Sequence, residues 1–306
     1  MKRFPDNARV CFVGDSITHN GLFVKHIVAT YRNRFPESGV EFYNCGISGG
    51  NLGNTIAVYH EDIAIYDPTH IVLMIGVNDS NRGALAEPRS GERYERLRAA
   101  YERFAANYER FYELTRERGI ELTVCTPMPY EEYMESDQVP LRGGYALIQA
   151  YAEFVRNFAR VRGIALCDYH AEATRYMQEE VLYSPDRVHP TARGHEVMAK
   201  TFLATQGIEM ESTPESTKEL DEWYDTVQKL RNVIAAEYLA GVNYLELTDE
   251  ERYAAMSAKH DAIERGESDL GIYTEYIGSL ICRYLESKPH QAEYIEFVKE
   301  FMKSGK

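Results

Sequence analysis

The sequence predicts an α/β fold: a parallel sheet with helices on both faces, followed by an all-helical extension. Three observations carry this. Short apolar runs alternate with helical periodicity through residues 1–206. The runs are rich in Val, Ile, Phe and Cys, as strands buried on both faces are. Beyond Gln206-Gly207 no strand pattern occurs at all.

The strand candidates are Arg9–Val13, Val40–Cys45, His70–Ile75, Ile120–Thr126 and Ile164–Asp168. A first helix is expected over Leu22 to Phe35. In a second, Tyr94, Leu97, Tyr101, Phe104, Tyr108 and Phe111 recur at steps of three and four, drawing one apolar stripe with Arg and Glu on the other side. Gly119 ends it. A third runs from about Leu147 to Val161 and stops at Gly163. This β-α alternation implies a parallel sheet, in which sites form at the carboxyl ends of the strands.

The chain therefore divides into residues 1–206 and a helical extension, 207–306. In the extension, helices are expected from Glu215 to about Ala240, Asp249 to about Arg265, and Thr274 to Met302 with a break at Pro289. Thr213-Pro214 reads as a helix entry with Pro in the first turn, and Thr248 to Glu251 as a capping box. From Gly207 on there are 21 acidic and 11 basic residues, against 27 and 23 before it, so most of the net charge of -14 belongs to the extension. Its aromatics, Trp223, Tyr238, Tyr276 and Tyr284, suit intramolecular packing, the default, or a homo-oligomer interface.

An acidic chain argues against nucleic acid as a partner and against anionic membranes. No apolar run approaches a spanning helix, and Phe4-Pro5-Asp6-Asn7 follows the basic start where a signal peptide would be apolar. The five cysteines, Cys11, Cys45, Cys125, Cys167 and Cys282, lack metal-type spacing. They read as reduced, buried side chains of a cytoplasmic protein, with a catalytic cysteine the sharper alternative.

The chemistry sits at strand exits. Gly14-Asp15-Ser16 closes the first apolar run; taken alone, such a triplet is an ordinary turn. After the second run comes Asn44-Cys45-Gly46-Ile47-Ser48-Gly49-Gly50-Asn51, and after the third Gly76-Val77-Asn78-Asp79. Glycines there let backbone N–H groups face a cleft, and Asn78 offers an amide donor where an oxyanion would form. Far downstream, Asp186-Arg187-Val188-His189-Pro190 supplies a base and a carboxylate to orient it; a serine needs the first and the imidazole the second. Two rivals stand nearby. Asp168-Tyr169-His170 ends the fifth strand, and His189 with His195 could suggest a metal pair, although no further ligands support one. Asp15 reads as a structural cap.

With these blocks in this order, the chain resembles the SGNH subfamily of GDSL esterases and lipases over roughly Arg9 to Phe202. The hallmark Ser, Gly, Asn and His fall on Ser16, Gly49 (with Gly46 and Gly50 as close alternatives), Asn78 and His189. The resemblance implies a flavodoxin-like α/β/α sandwich with five parallel strands. It implies a catalytic triad of Ser16, His189 and Asp186 that works through an acyl-enzyme. It also implies an oxyanion hole from the backbone N–H groups of Ser16 and Gly49 and the Asn78 side chain, with no cofactor and no metal. The expected activity is hydrolysis of a small-molecule ester, chiefly removal of acetyl groups from carbohydrate. The alternatives are a lysophospholipase or thioesterase, an acyltransferase, and, last, a non-enzymatic binding protein. Tyr130, Tyr133 and Tyr183 are candidates to stack on a sugar ring or to pack in the interior.

Overall fold

A computed structural model describes residues 1–57 and 59–221 of the chain. Its sheet has five parallel strands: β1 (Arg9–Gly14), β2 (Glu41–Gly46), β3 (His70–Met74), β4 (Glu121–Cys125) and β5 (Ala165–Cys167), in the order β2-β1-β3-β4-β5. Val10 to Val13, Ile71 to Leu73, Val124 and Cys125 are all buried, which explains why these strands read as continuous apolar runs. Each strand lies within one or two residues of its predicted span. The edge strand β5 is shortest, because only Ala165 to Cys167 find partners on β4.

The helices follow from the same sequence. Leu22–Arg34 (α2, after the short α1, Ser16–Asn20) packs against α8 (Ala192–Thr205), which also contacts α7 (Tyr169–Tyr176). The two long helices between, α5 (Gly91–Glu117) and α6 (Gly144–Arg162), meet through rings: Phe104 on Tyr151, and Tyr108 on Phe154 and Phe158. The strand order reverses direction at β1, so right-handed crossovers put α2 on one face and α5 and α6 on the other. Short helices α3 (Leu52–Ala57) and α4 (Tyr59–Asp62) lie between β2 and β3. In α5 the apolar stripe is buried from Ala100 onward, while Tyr94 at its start is 54% exposed.

The chain forms two compact units, Met1–Thr55 with Pro68–Lys218, and Ile56–Asp67 with Glu219–Lys306. Past Gln206, Glu211 and Ser212 bond to α2. Glu211 N donates to Thr30 Oγ1 (3.1 Å), Asn33 Nδ2 donates to Glu211 O (2.7 Å), and His26 Nδ1 lies 2.7 Å from Ser212 Oγ. The Thr213-Pro214 entry opens a short helix, α9 (Pro214–Lys218), with Ser216 N donating to Thr213 Oγ1. The helices expected farther along, and Cys282, lie outside the described residues. Cys11, Cys45, Cys125 and Cys167 are buried and unbridged.

Candidate active site

In the order β2-β1-β3, chain direction across the sheet reverses on either side of β1. The crevice at the carboxyl ends of such strands is where ligands collect. Ser16 follows β1 directly and is the first residue of α1. Asp15 caps that helix: its Oδ1 accepts from Ile17 N at 3.0 Å. The turn is tight. A side chain on Gly14 would stand 2.5 Å from Met74 O, and one on Gly46 2.2 Å from His19 N. Asn44 locks the same helix from β2: its Nδ2 donates to Thr18 O (2.6 Å) while its Oδ1 accepts from Gly46 N (2.8 Å). The segment quoted from the sequence contained Asn44, but its role follows only from the packing of α1 on β2.

Ser16 Oγ lies 2.8 Å from His189 Nε2, and His189 Nδ1 lies 2.6 Å from Asp186 Oδ2. The loop between α7 and α8 makes this pair. Tyr183 and Pro190 bridge as antiparallel partners, Ser184 N donates to His189 O (2.8 Å), and Arg187 N donates to Ser184 O (2.9 Å). Arg187 takes a left-handed φ of 68°, a conformation a non-glycine residue adopts at a cost. That bend returns the chain so that Asp186 Oδ1 accepts from both Val188 N and His189 N (3.0 and 2.9 Å). Burial pushes the Asp186 carboxyl up, but the hydrogen bonds from the His189 backbone and ring outweigh it and hold it below the usual carboxylate range. The His189 and Asp186 side chains are 44% and 38% exposed, so substrate and water can reach them.

The donor groups stand beside this chain of bonds. Ile47 N donates to Gly14 O (2.9 Å), which seats the Ile47–Gly50 turn next to the β1 exit. Gly50 N closes that turn on Ile47 O, and Gly49 holds φ at 73°, the value a type II turn demands at its third position. Gly46 is buried at the end of β2, whereas Gly49 sits on the exposed turn, and the Gly49 N–H meets no protein acceptor among the described residues. The Ser16 N–H is likewise free of helix bonding, being at the first helical position. Asn78 Nδ2 donates to Gly50 O at 2.9 Å, leaving one amide hydrogen to spare.

Two buried carboxyls underlie the site. Desolvation raises Asp15 to about 6 and Asp79 to about 7, and Asp15 adds to the shift of Asp79. Asp79 Oδ1 accepts from Leu52 N at the start of α3 (3.0 Å), while its Oδ2 is buried without a partner.

The rivals resolve as structural. Asp168 is paired with Arg156 (2.7 and 2.9 Å), accepts from Thr126 Oγ1 and caps α7 through Ala171 N. His170, buried against Tyr145, is driven down to about 4 chiefly by desolvation. His195 is stacked on Phe23 and burial drives it down to about 3, so it is a neutral packing ring. Tyr130 and Tyr183 are interior residues at 4% and 1% exposure, but Tyr133 is 74% exposed. It borders a groove with Glu135, Asp137, Arg142 and Pro185, next to the loop that carries Asp186. Sequence reasoning passed over Arg82 and Arg187; both act through backbone and amide contacts that carry no spacing signal.

A family model described as GDSL-like Lipase/Acylhydrolase family matches residues 12–197. An acetylxylan esterase of Geobacillus stearothermophilus is 27% identical over 221 residues, covering 66% of this chain and 94% of that protein. Its solved structure is 23% identical with a TM-score of 0.57 over 70% of this chain and 100% of that one, a likeness of fold. Its catalytic mutants, one replacing an aspartate and one a serine, superpose equally well. A gut microbial diltiazem-metabolizing enzyme has a TM-score of 0.62 at 26% identity over 68% of this chain. The chain spans about half of that enzyme, 48% of its length.

Proposed function

The chain belongs to the GDSL-like lipase/acylhydrolase family and is an ester-bond hydrolase, and on that premise we propose that it removes acetyl and other short acyl groups from carbohydrate through Ser16. The observation that carries this is the unbroken run of short contacts from Ser16 Oγ through the His189 ring to Asp186. In this reading His189 Nε2 takes the hydroxyl proton as Ser16 Oγ attacks the ester carbonyl. The oxyanion of the tetrahedral intermediate accepts from the Ser16 and Gly49 N–H groups and the spare Asn78 amide hydrogen. Collapse expels the sugar alcohol, which leaves with the proton from His189. Water then attacks the acyl carbonyl as the same nitrogen takes its proton, and collapse releases the acid while His189 returns that proton to Ser16 Oγ. Asp186 keeps the ring in the tautomer that exposes Nε2 as acceptor and stabilises the imidazolium.

The carbohydrate preference rests on two supports. The groove beside the catalytic loop is lined by Glu132, Glu135, Ser136, Asp137 and Arg142, groups that suit hydroxyls better than a fatty chain. The acetylxylan esterase also gives a chemical precedent in name, and a serine and an aspartate are the residues replaced in its catalytic mutants.

The test is a substrate series on the purified protein. Aryl esters from acetyl to long-chain acyl should fall off steeply with chain length, and acetylated xylo-oligosaccharides should release acetate. Tyr133→Ala should raise KM on the oligosaccharide about threefold or more, the worth of one ring contact, and leave the aryl acetate unaffected. Preference for long chains would replace this reading with a lipid hydrolase; acyl transfer to an added alcohol outrunning hydrolysis would replace it with a transferase.

A further inference from the structure

The turn after β3 folds back on itself. Ser80 N donates to Gly76 O (3.1 Å), Ser80 Oγ donates to Val77 O (2.7 Å), and Asn81 takes a left-handed φ of 50°. This sends Arg82, the first residue of a 3₁₀ turn over Arg82–Ala86, back across Val77 and Asn78. Arg82 Nη1 donates to Val77 O (3.1 Å) and to Asn78 Oδ1 (3.3 Å). Among the described residues its guanidinium has no ion-pair partner, although it stands near enough to Asp15 and Asp186 for their charges to act on it.

The contacts of Asn78 leave its amide one orientation. A guanidinium has donors only, so the atom it meets must be the amide oxygen; Gly50 O accepts only, so the atom it meets must be the nitrogen. An amide flipped end for end would set oxygen against oxygen and nitrogen against nitrogen. A cation on the oxygen also polarises the amide and strengthens its N–H groups as donors.

We propose that Arg82 is a positioning residue of the oxyanion hole, which fixes and polarises the Asn78 amide so that its spare hydrogen faces the developing oxyanion. This rests on the reading of Asn78 given under the proposed function. Arg82 itself touches no reacting atom; all of its effect passes through Asn78.

A double-mutant cycle tests this, with kcat and KM measured on an aryl acetate for the wild type, Arg82→Met, Asn78→Ala and the double variant. Methionine keeps an unbranched apolar stem, and circular dichroism melting checks the fold. Arg82→Met should lower kcat about tenfold, the worth of one charge-assisted hydrogen bond, with KM within about twofold. On the Asn78→Ala background the same change should alter kcat by less than about twofold. Arg82→Lys, which keeps a charged donor, should recover part of the loss. The proposal is overturned if Arg82→Met leaves kcat unchanged, if its loss is equally large without Asn78, or if the loss appears in KM. Should Arg82→Met fail to fold, Arg82→Ala carries the same cycle with the same criteria. Asn78→Ala with undiminished kcat would instead remove Asn78 from the oxyanion hole, and this inference with it.

Discussion

Asp79 shows how one side chain can set a cost on this site. Its carboxyl is raised to about 7, mainly by desolvation, with Oδ2 buried and unpartnered. A raised carboxyl pKa means that the folded chain keeps a proton that the unfolded chain has released. From about pH 4 to about pH 7, stability therefore falls as pH rises, and the penalty is complete above that window. Asp79→Asn keeps an acceptor for Leu52 N and removes the charge. It should melt higher than the wild type at pH 8, by a gap on the order of a few kcal/mol, and the gap should close toward pH 4. A gap independent of pH would mean that Asp79 is not the titrating group. At this scale the sequence was legible where residue type limits chemistry: Ser16, His189 and Asp186, proposed as the triad, are side chains that the structure brings into one run of short contacts. Arg82 was not legible, because an arginine four residues beyond an asparagine has many uses and only the left-handed Asn81 turns it back.

The loop from Tyr183 to Pro190 is the element on which the site depends. Pro185 and Pro190 keep it from forming a regular helix, and Asp186 and His189 stand three residues apart within it. What the sequence hid is the anchor. Arg187 is 3% exposed, and its guanidinium donates to the carbonyls of Glu131, Glu132, Met134 and Gln138 at 2.8 to 3.3 Å. Glu131 N returns a bond to Arg187 O (3.0 Å). Nothing in a string of letters pairs an arginine with backbone carbonyls fifty positions upstream. Arg187→Leu should leave those carbonyls buried and unmatched, at a cost on the order of 2–4 kcal/mol. It should also speed proteolysis between Glu131 and Arg142 before global unfolding. An unchanged melting temperature with an unchanged cleavage pattern would show that the two loops stand independently.

Across the whole molecule, the β-α alternation predicted the sheet, because strands buried on both faces write themselves as apolar runs that no other element here imitates. Strand order was not legible from those runs; it came with the family resemblance and is set by long-range pairing of β1 with β2 and β3. The contacts just past Gln206 were hidden for a related reason. Glu211 and Ser212 bond to α2 across more than 180 positions, and composition cannot register such a contact. The proposed mechanism has the same long reach: it needs a hydroxyl at the start of the first helix to react through an imidazole 173 positions away, 2.8 Å from it. The most direct measurement is hydrolysis of an aryl acetate by Ser16→Ala, alongside a circular dichroism melt. The proposed triad requires loss of kcat by about 10⁴-fold or more with the fold retained. Turnover near the wild-type rate in that folded variant would contradict it.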